Sequence, residues 1–258
     1  MTDSFFNYLQ FEKRYSPHTL ISYKSDLEQF TIFCKLEFGL INISEADYNL
    51  IRAWIVSLAN GDLETKSINR KLACLKSYYK FLLKRGLIAS NPAQRVKTPK
   101  LKKRLPIFVE EKHMVDLLDS IVFPDSFEGA RDKLIVELLY GTGMRLAELI
   151  GLKENDISFF DSSIKVRGKG NKERIIPMHK QVQLAIENYN KLKSLTFLHQ
   201  SEADYLICTD KGEKAYSMMV QRVVKKYLSL VSNAEKKSPH VLRHSFATHM
   251  LNLSLIHI

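Results

Sequence analysis

The sequence predicts a mainly α-helical protein with one small β-sheet, divided into an N-terminal helical domain and a mixed α/β domain. Three observations carry that expectation. The first hundred residues repeat apolar side chains at helical spacing between turn signals. Residues 94–106, QRVKTPKLKKRLP, hold six basic residues, two prolines and no acid, the composition of an extended tether. Strand-like alternation is confined to residues 156–178. The expected boundaries are a helical domain at 1–94, a basic linker at 95–106 and a second domain at 107–258.

In the first domain, Ser16 and Pro17 suit the cap and first position of a helix whose Leu20, Tyr23, Leu27, Phe30 and Phe33 or Cys34 share one face. Asn42 to Ser44 marks a break before a second helix over 46–58, and Asn60-Gly61-Asp62 turns the chain. Thr65 is expected to cap a third helix with Ile68, Leu72, Leu75, Tyr79 and Leu82 inward, stopped by Arg85-Gly86. Its outward side is expected to carry Lys66, Asn69, Arg70, Lys71, Lys76 and Lys80, with no acid after Glu64. Such a face is either merely solvated or a row of phosphate contacts, for which Lys66, Arg70 and Lys76 are the candidates. In the linker, Pro99 and Pro106 oppose helix, and Lys102, Lys103 and Arg104 join the candidates; a solvated tether and one that closes a clamp on DNA both fit.

The second domain should begin with helices over 110–121 and 130–140. Gly141 and Gly143 are expected to break the latter, and Met144 to open a short helix with Arg145 and Glu148 at i, i+3. That spacing makes either a surface ion pair or an arginine oriented by Glu148 into a site. ISFF and SSIKV alternate before RGKGNKERIIPM, which places Lys169 at a hairpin tip. The glycines lack the G-x-x-x-x-G-K-[ST] spacing of a nucleotide loop. Helices are expected over 180–195, 216–230 and from Ser238 onward.

The last of these, SPHVLRHSFATHM, puts His240, Arg243 and His244 on one face and Leu242, Phe246 and Met250 on an apolar stripe. Three readings compete. His240 and His244 stand at the i, i+4 spacing of zinc-binding helices, but Val241 occupies the place of the general-base glutamate in H-E-x-x-H. A capped surface helix with ordinary histidines is the second. The third is an anion site, with Arg243 forking onto phosphate oxygens and His240 handling a proton.

Thirty-nine basic against 28 acidic residues leave a net charge of +11, which favours a polyanionic partner. No apolar run approaches the ~20 residues that span a bilayer, and MTDSFFNYLQFEK lacks the order of a signal peptide, so a cytoplasmic protein is expected. Cys34, Cys74 and Cys208 have no CxxC spacing and suggest neither a disulfide framework nor a zinc knuckle.

TGMRLAEL, VRGKGNKER and HVLRHSFATH follow in this order behind the basic linker and a helical domain that begins YSPHTLISYKSDLEQF. In that combination the chain resembles the tyrosine recombinases of the phage-integrase family, most closely the bacterial Xer type that resolves chromosome dimers. The resemblance implies an N-terminal SAM-like core-binding domain and a mixed α/β catalytic domain that together clamp duplex DNA. It assigns catalytic roles to Arg145, Lys169, His240 and Arg243. It implies tyrosine attack on a scissile phosphodiester, no metal or nucleotide cofactor, a duplex recombination site as partner, and a second protomer within a tetramer on paired sites. The family pattern continues after the H-x-x-R motif to L-G-H and then the nucleophilic tyrosine. Here the sequence reads NLSLIHI and no tyrosine follows Tyr227, so a C-terminally incomplete catalytic domain without its nucleophile, inactive alone, is expected. A DNA-binding protein of the same fold without cleavage, and a type IB topoisomerase-like relaxing enzyme, are the alternatives.

Phosphate contacts carry no base information, so replacing Lys102, Lys103 and Arg104 together with alanine should weaken binding to all duplex sequences alike and flatten the salt dependence, by about 0.9 in log–log slope per lost contact. Binding measured across a salt series checks this; an unchanged slope removes the linker from the interface.

Overall fold

The computed structural model describes residues 2–100, 108–197 and 204–255, with side chains for all of these except Lys169 and residues 253–255. The chain divides into two compact units, Met1–Arg104 and Leu105–Ile258. Among the described residues no helix is long and apolar enough to cross a membrane.

The first unit is built from α1 (Thr2–Asn7), α2 (Pro17–Phe38), α3 (Tyr48–Asn60) and α4 (Thr65–Lys84). Ser16 caps α2 by accepting the Thr19 amide, as its sequence position implies. Asp47 accepts the Leu50 amide at 2.8 Å and so starts α3 at Tyr48, two residues later than the sequence suggested. Thr65 is the first residue of α4 rather than its cap; Glu64 precedes it and offers no side-chain cap. Phe5, Leu27, Phe30, Ile51, Trp54, Leu72 and Tyr79 lie in one core, with the Phe30 and Trp54 rings 4.9 Å apart. Ala93 and Val96 belong to the same core, so packing reaches into the first residues of the segment expected as linker.

Lys71, expected outward, is only 4 % exposed. The reason lies on α2, where the buried Asp26 accepts the Lys71 ammonium at 2.9 Å and Gln29 accepts it at 2.6 Å. A buried ammonium is tolerable only with such partners, and neither is a neighbour in sequence.

The second unit contains α5 (Glu111–Val115), α6 (Phe127–Thr142), α7 (Leu146–Gly151), the strands β1 (Ile157–Ser158), β2 (Ser163–Arg167) and β3 (Glu173–Pro177), then α8 (Lys180–Thr196), α9 (Ser217–Val231) and α10 (Pro239–Leu255). α5 continues into a π-helical turn at Asp116–Ser120. The strands form an antiparallel sheet in the order β1-β2-β3, with Ile164 opposite Ile176 and Val166 opposite Arg174. α6 is the hub: Leu134, Ile135, Val136, Leu138 and Leu139 are all buried, and the helix packs against α8, α9 and α10.

Two local expectations are corrected. α6 runs through Gly141 to Thr142 and ends at Gly143, which adopts a left-handed φ of 59°; Arg145, not Met144, precedes α7. On α10 the buried positions are Pro239, Val241, Leu242, Ser245 and His249, while Met250 is 52 % exposed. Polar partners draw the helix round: Ser245 Oγ accepts the Val109 amide at 2.8 Å, and His249 Nδ1 pairs with the Tyr140 hydroxyl at 3.0 Å.

The Phe246 ring fills the space over Gly143, where a Cβ would stand 2.4 Å from its edge. Gly143→Ala therefore combines left-handed strain of about 1–2 kcal/mol with overpacking of about 1–3 kcal/mol. A loss of at least about 2 kcal/mol in urea unfolding of the second unit is expected; a loss below ~0.5 kcal/mol would show that Phe246 moves aside freely.

Candidate active site

The site is organised by Glu148, in the first turn of α7. Its carboxylate accepts the Arg145 amide at 2.7 Å and Arg145 Nη1 at 2.8 Å, closing a capping arrangement at the helix start. From β3, Arg174 donates Nη1 and Nη2 to the two carboxylate oxygens at 2.6 and 2.8 Å. The antiparallel register puts Arg174 opposite the buried Val166, on the sheet face that meets α7. Gly168 lies beside the pair: a Cβ there would meet Glu148 Oε1 at 3.4 Å and Arg174 Nη1 at 3.7 Å, ordinary contact distances.

The Glu148 side chain is 2 % exposed. Burial alone would raise its pKa; the hydrogen bonds from Arg174, the Arg145 amide and the Arg145 guanidinium outweigh burial and bring it to about 2. The carboxylate is therefore charged at neutral pH and well into the acid range.

Arg243, on α10, is half-buried and donates to the Gly143 carbonyl, 100 positions away in sequence. Its pKa is lowered by burial first and then by the nearby Arg145 cation, with Arg174 acting the same way and Glu148 opposing. Two guanidinium groups thus share one carboxylate, and Arg243, held on a carbonyl two residues before Arg145, lies close by. The side chain of Arg145 is 53 % exposed and spends only Nη1 on Glu148, so it keeps donors for an anion. Rigid, planar cations set in this way suit the nonbridging oxygens of a phosphate.

His240 is exposed on α10, one turn before Arg243. Lys169 stands in the short 3₁₀ turn Lys169–Asn171 between β2 and β3, and its side chain lies outside the described atoms. Among the described residues no group of three or more His, Cys, Asp or Glu could hold a metal ion, so His240 and His244 find no further ligand there. A largely apolar groove of about 1020 Å³ opens beside Arg174 and Arg243, walled also by Tyr140, Phe246 and Met250; Arg145 and His240 do not line it.

Sequence reasoning did not single out Arg174. The signal was present in GKGNKERIIPM, where Arg174 and Ile176 alternate with exposed Glu173 and Ile175, but an inward arginine needs its carboxylate to be recognised. In the first unit, Lys66 is exposed and forms no ion pair among the described residues. Arg70 is held by Asp26 and by the Ser22 carbonyl, and Lys76 donates to the Val96 carbonyl at 3.0 Å. Lys102, Lys103 and Arg104 lie outside the described residues.

Residues 108–255 match the phage integrase family, and residues 2–86 match the phage integrase N-terminal SAM-like domain. The tyrosine recombinase XerC of Chlorobaculum parvum is 37 % identical over 274 residues, an alignment covering 97 % of this chain and 82 % of that protein. XerC of Oceanobacillus iheyensis is 35 % identical with the same coverage. Among solved structures, the XerH site-specific recombinase bound to palindromic difH substrate in its post-cleavage complex aligns with a TM-score of 0.72 and 19 % identity, over 91 % of this chain and 69 % of that one. The Tn1549 transposon integrase in complex with transposon right-end DNA gives a TM-score of 0.72 and 22 % identity, over 96 % and 85 %.

Because the Glu148 pKa is depressed in the fold, its stabilising contribution is full above the unfolded value of about 4.3 and is lost as pH falls toward about 2. A contribution on the order of 3 kcal/mol is at stake. Urea midpoints of the native chain and of Glu148→Gln should therefore draw together as pH drops from about 5 to about 2. A gap that stays constant across this window would uncouple Glu148 ionisation from folding.

Proposed function

This chain belongs to the phage integrase family of tyrosine recombinases, and from that premise we propose that it acts at one scissile phosphodiester of a duplex recombination site through Arg145, Lys169, His240 and Arg243. The observation that carries this reading is that Arg145 and Arg174 share the Glu148 carboxylate while Arg243, bonded to the Gly143 carbonyl two residues before Arg145, lines the same groove as Arg174. The +11 charge and the DNA held by the XerH and transposon integrase structures support duplex DNA as the partner.

In the proposed reaction a tyrosine oxygen bonds to the scissile phosphorus and the bond to the 5′-oxygen breaks, giving a 3′-phosphotyrosine and a free 5′-hydroxyl. Arg145 and Arg243 hold the nonbridging oxygens, where charge accumulates in the transition state. Lys169 gives its proton to the leaving 5′-oxygen, and His240 assists proton movement at the nucleophile. The phosphotyrosine stores the bond energy, so the 5′-hydroxyl of a partner strand can reverse the step without a high-energy cofactor. A role in resolving chromosome dimers in the cytoplasm, with a second protomer on paired sites, is the Xer-like form of this reading; the XerC relatives support it.

The nucleophile is proposed to come from outside these 258 residues. Tyr140 borders the groove, but burial raises its pKa and its hydroxyl is engaged by His249. Tyr227 is 2 % exposed and stacks on Phe123 at 4.4 Å, and the Tyr205 ring lies under the Lys214 ammonium at 3.9 Å. Burial raises the pKa of Tyr227 as it does that of Tyr140, the reverse of activation.

A nicked suicide substrate tests both parts. The 258-residue chain should bind the DNA and give no denaturant-resistant adduct. Appending a relative's C-terminal segment with L-G-H and tyrosine should produce the adduct, and Arg145→Ala or Arg243→Ala should then reduce its rate about 10²- to 10³-fold with much less effect on binding. An adduct on Tyr140, Tyr205, Tyr216 or Tyr227 overturns the external nucleophile. A completed chain that binds DNA and never forms the adduct favours the non-cleaving reading, and relaxation of supercoils without exchange between two sites favours the topoisomerase-like one.

A further inference from the structure

We propose that Arg174 is a positioning residue of the phosphate site: it occupies the Glu148 carboxylate so that Arg145 keeps its charge and its outward donors for a phosphodiester, and it fastens the hairpin carrying Lys169 to the helix start at Arg145. This rests on the recombinase reading above.

A carboxylate offers about four acceptor positions, and at Glu148 all are filled: two by the Arg174 fork, one by Arg145 Nη1 and one by the Arg145 amide. The Arg174 fork turns two of its five N–H donors onto Glu148, and the role inferred for it runs through that carboxylate. Without Arg174, Glu148 would face Arg145 alone. An arginine fork matches a carboxylate bidentately, and the second Arg145 nitrogen would turn inward and be neutralised there. With Arg174 in place, two guanidiniums share one negative charge and the neighbourhood keeps an excess of positive charge, which Arg243 also feels.

The second effect is mechanical. Glu148 belongs to α7 and Arg174 to β3, so the pair spans the gap between the two elements. Glu173, the adjacent acid, is taken by Arg167 across the hairpin at 3.0 Å and does not cancel the site's charge. The turn holding Lys169 is therefore bounded by two ion pairs, one closing the hairpin and one anchoring it.

The test follows the side-chain NMR signals of Arg243 while inorganic phosphate is titrated into the ¹⁵N-labelled 258-residue chain from about pH 6 to about pH 4, a range in which Glu148 is charged in the native protein and phosphate is a monoanion. Native protein sets the baseline, which already contains the titration of two groove groups, His179, whose pKa burial lowers, and Glu137, whose pKa burial raises. Each variant is therefore read as its ratio to native at the same pH, and a step means a step in that ratio. Arg174→Gln should bind about tenfold more weakly at the upper end and recover as pH falls through about 4.3, because Glu148 then titrates in the ordinary carboxylate range and its competing charge disappears. Arg174→Lys, with the charge but not the fork, should lie between the two. A purely structural ion pair would give no such pH step, so a Gln variant with native affinity and a flat profile overturns the inference. If that variant does not fold, the double variant Glu148→Gln with Arg174→Gln carries the test. It should regain near-native affinity without a pH step, and persistent weak binding overturns the inference. Arg145→Ala separates the two levels. Unchanged phosphate affinity at Arg243 in that variant removes the phosphate-site reading itself, whereas weakened binding there beside an unaffected Arg174→Gln removes only the role of Arg174.

Discussion

Everything at the candidate site hangs on one buried carboxylate that is never left short of donors. Glu148 is 2 % exposed, and a carboxylate removed from water to that degree would ordinarily protonate or unfold its surroundings. Four directed hydrogen bonds from Arg145 and Arg174 reverse that balance. The same bonds start α7, fix the sheet against it and hold a guanidinium at the surface. Structural and chemical roles are therefore inseparable here: the ion pairs that give the site its shape also set its charge.

A second constraint brings the distant arginine in. α6 ends at Gly143 in a left-handed conformation, and its free carbonyl takes the Arg243 side chain while the Phe246 ring seals the position where a Cβ would stand. A helix C-terminus leaves carbonyls unsatisfied, and a cation is a favourable partner for them. One turn of backbone thus sets both how close α10 comes and where Arg243 points. The ends of α6 and the start of α7 are joined by only a few residues, so Arg145 and Arg243 are fixed from the same hinge.

The first unit handles its buried charge by a similar rule. Asp26 gathers Lys71 and Arg70, and this removes Arg70 and Lys71 from the set of unencumbered cations on α4. Basic residues at helical spacing near one another in sequence are thus unequal in what they can offer DNA. Lys66 is exposed at the start of the helix, whereas Lys76 gives its ammonium to a backbone carbonyl.

Much of the architecture was legible in the residues themselves. Ser16-Pro17, the apolar face of α4 and the Gly-Lys-Gly-Asn turn announce their elements because caps, helical periodicity and turn chemistry act over a few neighbouring positions. The motifs around Arg145, Lys169, His240 and Arg243 were legible as motifs, which is how the family was recognised. Tertiary structure alone decided the rest. It turned α10 so that Ser245 and His249 face inward while Met250 is exposed, since their hydrogen-bond partners, Val109 and Tyr140, come from other elements. It buried Lys71 against Asp26 and set Arg174 beside Glu148. In each case the deciding partner is far away in the chain, and whether a polar side chain is buried depends on that partner rather than on its own sequence neighbourhood.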